Sequence, residues 1–244
     1  MTSDHIVKSY DEELNHLNES ILKMGGLAEA LLADALDSVT KRDPDRAQQT
    51  IDDDKKIDHL ETEIDQQVVR LLALRQPMAA DLRNIIAALK ISSDIERIGD
   101  YGANVAKRAI PLSATQTVKP LFAINRMGRI TLQMIKTVLD AYTEGNPDKA
   151  KEVWLRDEEV DDLYTGLFRE LLTYMMEDPR NITPCTHMLF IARNLERIGD
   201  HATNIAETVY YMVKGAHFEE DRPKGKGDRS GLAVVKPEGK GNGD

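Results

Sequence analysis

The sequence DIERIGDYGANVA at residues 94–106 returns, with most of its polar positions unchanged, as NLERIGDHATNIA at residues 194–206. Both copies contain the pentapeptide ERIGD, at Glu96–Asp100 and at Glu196–Asp200, and each has an Asn four positions after its Asp. The core of a helical protein requires only an apolar residue at every third or fourth position. It does not require the same Glu, Arg, Gly, Asp and Asn in the same order. The repeat therefore indicates a duplicated fold that carries a duplicated polar site.

The duplication extends through most of the chain. Met24-Gly25 returns as Met127-Gly128, and Leu36-Asp37 returns as Leu139-Asp140, in both cases 103 positions later. The two ERIGD copies are only 100 positions apart, so three residues have been lost from the second half between these landmarks. Because solenoid repeats are roughly 20–50 residues long, this spacing predicts a duplicated domain.

Helical periodicity dominates the sequence. Leu14, Leu17 and Ile21 recur at steps of three and four, which is the spacing of one helix face. Asp43-Pro44 and Asn146-Pro147 each combine a helix N-cap with a proline at the first helical position. We therefore predict an all-α fold of two tandem pseudo-symmetric three-helix bundles, because three long helices joined by short turns must run up, down and up. The six long antiparallel helices are expected at residues 5–42, 44–75, 79–109, 117–145, 148–177 and 184–214.

This plan sets the expected domain boundaries. Residues 1–112 form the first three-helix bundle and residues 113–216 form the second. Residues 217–244 contain six glycines and equal numbers of acidic and basic residues, with few apolar side chains. Such a segment buries too little apolar surface to offset the entropy of ordering, so we predict a disordered C-terminal tail.

Composition excludes several classes of function. The formal net charge of −10 argues against nucleic acid as a partner, because its phosphates would repel an acidic protein. The apolar stretches are far shorter than the ~18 residues of a membrane-spanning helix, and the N-terminus lacks the pattern of a signal peptide. The single cysteine, Cys185, excludes an internal disulfide and fits a reducing compartment. We expect a cytoplasmic protein.

The duplicated acids form stripes on the predicted helices. Glu96, Asp100 and Asn104 are successive i,i+4 neighbours, and the pair Asp54 and Asp58 has the same spacing on the preceding helix. The acidic stripe and the apolar stripe lie on different faces of the helix, so we expect these acidic side chains on an outer surface where the two helices meet. An equivalent patch is expected in the second half from Asp157, Asp161, Glu196, Asp200 and Asn204.

Stacked like charges are unfavourable without a counter-charge, which favours a bound cation. Arg97 and Arg197 can neutralise part of each patch, and a multivalent ion would neutralise more. Ligands that are all oxygen select hard divalent or trivalent ions such as manganese, magnesium or iron. Gly99 and Gly199 agree with this hypothesis, because a helical glycine permits another group to approach closely. Plain helix packing explains the same glycines, and sequence does not separate the two.

The tandem halves and their acidic E/D-x-x-x-D motifs resemble the PhoU family, which regulates high-affinity phosphate uptake in bacteria. The resemblance covers about residues 5–215 and includes Leu74-Arg75-Gln76-Pro77 and the segment Tyr211–Gly215. It implies a cytoplasmic, non-catalytic adaptor between the ATPase of the phosphate ABC transporter and a membrane histidine kinase. Such an adaptor holds the phosphate-starvation response off when phosphate is plentiful. The resemblance also implies a homodimer, membrane contact only through partners, and metal clusters on the acidic motifs.

Two alternatives remain open at this stage. A ferritin-like di-iron enzyme needs two E-x-x-H motifs, whereas this chain has one, at Glu13 and His16. A structural helical protein without metal would need the acids only for solvation. The two acidic patches also differ, because Tyr164 and Phe168 replace the first half's Glu61 and Asp65.

Overall fold

The computed structural model describes residues 2–116, 121–219 and 222, with side chains described from residue 10 onwards. This part of the chain is almost entirely helical, with seven α-helices and one short 3₁₀ turn. The helices are α1 (Thr2–Lys41), α2 (Pro44–Asp53), α3 (Lys55–Arg75), α4 (Ala79–Ser113), α5 (Leu121–Glu144), α6 (Pro147–Glu177) and α7 (Ile182–Lys214), and the 3₁₀ turn covers Pro179–Asn181.

The predicted six long helices are confirmed, with one local difference. The second predicted helix is divided into α2 and α3 at Asp54, whose backbone stays close to helical at φ −53° and ψ −38°. The N-caps predicted at Asp43 and Asn146 are also confirmed. The Asp43 side chain accepts hydrogen bonds from the backbone N–H groups that begin α2, and Asn146 does the same for α6. Each cap fixes where a helix begins by satisfying donors that have no intrahelical partner.

The helices pack as two three-helix groups. In the first half α1, the α2–α3 pair and α4 contact one another, and in the second half α5, α6 and α7 do the same. The all-α fold with two equivalent halves is therefore confirmed. The predicted boundary near residue 112 lies at the C-terminal end of α4.

The two halves share one continuous apolar core. α4 packs against α7 and α1 packs against α5, so a pseudo-two-fold seam joins the halves. The repeated landmarks lie on this seam. A Cβ added to Gly25 would come within 2.5 Å of Leu139, and one added to Gly128 would come within 2.5 Å of Leu36. Each half therefore inserts its leucine against the glycine of the other half, so the seam uses both copies of the Met-Gly and Leu-Asp landmarks.

The chain continues past α7 onto the second half. Gly215 ends α7 in the left-handed conformation at φ 70°, where glycine avoids the steric cost of a Cβ. Of the predicted tail 217–244, only residues 217–219 and Arg222 are described, and the predicted disorder of the remainder lies outside the described residues. Among the residues that the structure describes, no helix has the length and apolar character needed to cross a membrane.

Candidate metal centre

The first acidic cluster lies at the junction of α2 and α3 and faces the helical turn of α4 that contains the ERIGD sequence. We name it cluster 1 and define it by Asp54, Asp58, Glu96 and Asp100. Gly99 permits the close approach, because a Cβ at that position would lie 3.0 Å from Asp54 Oδ1 and 2.9 Å from Ile57 Cδ1. The glycine of the pentapeptide therefore lets a carboxylate rest against the neighbouring helix.

The carboxylates of cluster 1 repel one another in a partly buried setting. Burial, together with the charges of Asp58 and Asp100, raises the pKa of Asp54 to about 6. Burial and the neighbouring Asp100 raise the pKa of Glu96 to about 7, although the Arg97 guanidinium partly opposes this shift. Since desolvation and like charges both penalise the ionised form, cluster 1 carries electrostatic strain that a cation would relieve.

The second cluster repeats this arrangement between α6 and α7. We name it cluster 2 and define it by Asp157, Asp161, Glu196 and Asp200. Burial raises the pKa of Asp157 to about 6, with Arg222 opposing the shift and Asp161 and Asp200 adding to it. Burial likewise raises the pKa of Glu196 to about 7, against the opposing charge of Arg193. The duplicated acids therefore build two equivalent strained clusters.

The expectation of an outer surface is only partly right. The side chains of Asp100 and Asp200 are 40% and 43% exposed, as expected for a surface patch. Glu96 and Glu196 expose only 16% and 13% of their side chains. Asp157 contradicts the expectation, because its side chain is 3% exposed. The neighbouring helix in each half covers the inner carboxylates, and Arg222 lies on Asp157 as well.

Arginines supply the positive charge at both clusters. Arg97 contacts Glu96 at 3.3 Å and Asp100 at 3.0 Å. In cluster 2, Arg222 lies 2.8 Å from Asp157 and 2.7 Å from Asp200. These pairs place a guanidinium against both acids of each pair, so part of the negative charge is neutralised.

The donor chemistry of the clusters fits a hard cation, although the side chains are not arranged as a ready ligand set. Asp54 Oδ1 in cluster 1 and Glu196 Oε2 in cluster 2 are buried, and neither has a hydrogen-bond partner among the described residues. Within residues 2–116, 121–219 and 222, no three Asp, Glu, His or Cys side chains are placed so that they could hold one metal ion. Cation binding therefore requires carboxylates to turn away from their arginines. In each cluster one buried carboxylate oxygen has no partner among the described residues and is available as a ligand.

The structure directs the two predicted asparagine ligands elsewhere. Asn104 Oδ1 accepts a hydrogen bond from Lys107 Nζ at 3.2 Å. Asn204 Nδ2 donates to Asp94 Oδ1 across the seam at 3.4 Å. Neither amide makes a hydrogen bond to an acid of its cluster in this conformation.

A polar group at the seam was missed by the sequence interpretation. His201 Nδ1 lies 2.8 Å from Asp94 Oδ1, and its ring is 5.6 Å from the ring of Tyr101. Tyr101 and His201 are equivalent positions of the repeat, and residues near a two-fold axis meet their own equivalents. Arg197, predicted to neutralise cluster 2, instead lies over the Tyr101 ring at 5.5 Å. The repeat itself was the signal that could have located this contact.

The predicted difference between the halves is visible in the structure. Burial and the adjacent Asp65 raise the pKa of Glu61, so cluster 1 extends into a further acidic pair. In the second half, the Tyr164 ring at the equivalent position of Glu61 faces the Arg193 guanidinium at 5.6 Å. The E-x-x-H motif joins neither cluster, because Glu13 pairs with Arg75 at 2.8 Å and His16 contacts Gln67 at 3.2 Å.

These features define a duplicated helical-bundle protein with one carboxylate cluster in each half. The chain belongs to the PhoU family, because the family model described as "PhoU domain" matches residues 21–109 and 124–209, more than half of the sequence. The two matches coincide with the two halves and contain both clusters.

Individual relatives agree over nearly the whole chain. A "phosphate-specific transport system accessory protein PhoU homolog" of Rhizobium meliloti (strain 1021) is 49% identical over 92% of this chain and 95% of its own length. The "phosphate-specific transport system accessory protein PhoU" of Escherichia coli (strain K12) is 38% identical, covering 88% of this chain and 89% of that protein. The crystal structure of PhoU from Pseudomonas aeruginosa superposes with a TM-score of 0.83 at 41% identity, over 85% of this chain and all of that one.

Proposed function

We propose that this protein is a cytoplasmic, non-catalytic regulator of phosphate uptake and of the phosphate-starvation response. It acts as an adaptor between the ATPase of a phosphate ABC transporter and a sensor histidine kinase, and it holds the response off when phosphate is plentiful. Membership of the PhoU family supports this role, as do the relatives named as accessory proteins of phosphate-specific transport systems. The adaptor is a homodimer that reaches the membrane only through its partners.

We further propose that both clusters bind hard cations, with manganese, magnesium or iron as the candidates. The observation that carries this proposal is the duplication of strained carboxylates, each cluster with a buried oxygen that has no hydrogen-bond partner within the described part of the chain. Asp54, Asp58, Glu96 and Asp100 would hold an ion in the first half. Asp157, Asp161, Glu196 and Asp200 would hold it in the second, and Asn104 and Asn204 add a neutral oxygen if their amides turn.

A bound cation would act by joining helices. The ligands of cluster 1 come from the α2–α3 junction, from α3 and from α4, and those of cluster 2 come from α6 and α7. An ion would therefore link neighbouring helices in each half. This link stabilises the arrangement of the helix surfaces that partners contact. Because a ligand shifts a conformational equilibrium only by its differential affinity, metal affects signalling only if partners distinguish the linked from the unlinked form.

The metal proposal is tested with the double variant Asp100→Ala with Asp200→Ala. Both side chains are partly exposed, so the fold is expected to be retained, and stoichiometric manganese or iron binding is expected to be lost. Asp45→Ala with Asp148→Ala is the matched control, because these exposed acids are also duplicated but lie at the starts of α2 and α6. Metal content is measured on protein purified without chelator or affinity metal. Equal metal content in both double variants would remove the assignment.

The regulatory proposal is tested in cells. Deleting the gene is expected to leave phosphate-starvation genes switched on in phosphate-rich medium, and the parent gene restores repression. The Asp100→Ala, Asp200→Ala gene is expected to restore it only partly, whereas the Asp45→Ala, Asp148→Ala gene restores it fully. Normal repression in the deletion strain would contradict the adaptor role. Full repression by the cluster variant would show that the cations are dispensable for signalling.

A further inference from the structure

A C-terminal arm closes over cluster 2 and has no counterpart described at cluster 1. We define the arm as Gly215–Glu219 together with Arg222, which are its described residues. The Phe218 ring lies between two aromatic rings, 4.8 Å from Trp154 and 4.1 Å from Tyr210, both in stacked geometry. This aromatic contact fixes the arm on the second half, beside the carboxylates.

Arg222 reaches from the arm into cluster 2. Its Nε donates to Asp157 Oδ2 at 3.0 Å, while its Nη2 lies 2.8 Å from that oxygen and 2.7 Å from Asp200 Oδ1. The guanidinium therefore bridges an acid of α6 and an acid of α7, as the proposed cation would. Asp157 is 3% exposed and Arg222 is 21% exposed, so the contact is largely shielded from water. Shielded charge-assisted pairs of this kind are among the stronger hydrogen bonds in proteins.

Cluster 1 is neutralised differently. Its arginine, Arg97, comes from the pentapeptide itself and is 53% exposed. Its ion pairs are with Glu96 and Asp100, which belong to one helix, and it acts on Glu61 of α3 only through its charge. Solvent screens such an exposed pair, which contributes little to stability. The two clusters therefore differ in how readily an incoming cation can displace the local arginine.

We propose that the arm is an intramolecular competitor for cluster 2, in which the Arg222 guanidinium takes the place of a metal ion until the arm is released. This inference rests on the proposed cation binding for its competition step, although arm docking can be tested without metal. Cluster 1 takes a cation first, and cluster 2 takes one at higher concentration as the arm leaves. Because coupling is reciprocal, metal at cluster 2 weakens arm docking by the same factor by which the docked arm weakens metal binding.

The chain provides its own probe for the arm. Trp154 is the single tryptophan of the sequence, it is 1% exposed, and it stacks on Phe218 of the arm. Acrylamide quenching of its fluorescence therefore reports whether the arm is docked. Without metal, Arg222→Met and the pair Asp157→Asn with Asp200→Asn are both expected to increase quenching. Arg180→Met is the control, because Arg180 pairs with Asp178 at 81% exposure outside both clusters.

Competition is measured by titrating the full chain with Mn²⁺ and following the free-ion signal by electron paramagnetic resonance. The parent and Arg180→Met are expected to show one tighter and one weaker site. Arg222→Met is expected to tighten the weaker site about 10- to 100-fold, the range of one charge-assisted contact. Arg222→Lys keeps the charge without the bidentate fork and is expected to lie between the two. In the parent, saturating Mg²⁺, which is not paramagnetic, is expected to increase quenching of Trp154.

The outcomes separate the two proposals. If quenching is unchanged in Arg222→Met and in the Asp157→Asn, Asp200→Asn pair, the contact of Arg222 with cluster 2 does not hold the arm in place, and the proposed competition is wrong. If Mn²⁺ binds the parent but the weaker site is unchanged in Arg222→Met, the competition is wrong while the cation proposal stands. If no variant binds Mn²⁺, the cation proposal fails and the competition fails with it, and quenching alone then decides whether the arm docks.

Discussion

Replacing Glu196 with Gln is expected to make the metal-free protein less sensitive to pH. In the folded state the Glu196 carboxyl is 13% exposed, and burial raises its pKa from the ordinary 4.5 to about 7. The folded state therefore keeps a proton on Glu196 at pH values where the unfolded chain has released it. Since stability falls with rising pH wherever the folded state binds more protons, the parent loses stability between about pH 4.5 and pH 7. The Gln side chain does not titrate, so the Glu196→Gln variant does not lose this part of its stability as the pH rises.

The magnitude follows from the shift. A displacement from 4.5 to about 7 corresponds to at most about 3 kcal/mol, and residual contact with solvent lowers the expectation to ~1–3 kcal/mol. The quantity to compare is the change in the free energy of unfolding from pH 4.5 to pH 8. The parent is expected to lose ~1–3 kcal/mol more over this interval than Glu196→Gln. Comparing slopes removes the constant cost of placing a buried amide at this position.

The assay is urea unfolding at several pH values in the presence of a chelator, followed by circular dichroism. Glu170→Gln is the matched control, because Glu170 is an exposed residue of α6 outside the cluster. The control is expected to follow the parent at every pH. Parallel curves for the parent and Glu196→Gln would refute the argument that this carboxyl is strained. Saturating Mn²⁺ at pH 8 is expected to stabilise the parent more than Glu196→Gln, because the variant lacks a ligand.

Two further pairs of variants test the pseudo-symmetry. Gly199→Ala is expected to stabilise the protein by up to about 1 kcal/mol, because the atom nearest to its new Cβ is 3.5 Å away. Gly99→Ala is expected to be less stable than Gly199→Ala, because its new Cβ would lie 2.9 Å from Ile57. The midpoints of thermal unfolding of the two variants test this order, and equal midpoints would contradict the tighter packing around Gly99 than around Gly199. Leu36→Ala and Leu139→Ala are each expected to cost ~2–4 kcal/mol, because each leucine fills the glycine notch of the other half. Urea unfolding measures these costs, and a large cost for only one of them would contradict the two-fold seam.

The sequence by itself determined the helices, the duplication and the identity of the clustered acids. These properties are local or are read by comparing the chain with itself. A carboxylate at Glu96 and another at Asp100 must share a helix face, whatever the rest of the fold does. The Asx-Pro caps at Asp43 and Asn146 act on backbone donors two and three residues away, so they too were visible in the sequence.

Only the tertiary structure decided how deeply each acid is buried and what faces it. Asp157 and Glu196 were expected at the surface, yet the packing of α6 on α7 shields them, and no periodicity reports the distance between two helices. Arg222 reaches Asp157 from 65 positions along the chain, and His201 meets Asp94 from 107 positions away. Such contacts depend on where distant segments cross, because burial and Coulomb interactions are set by separation in space and not by separation along the sequence.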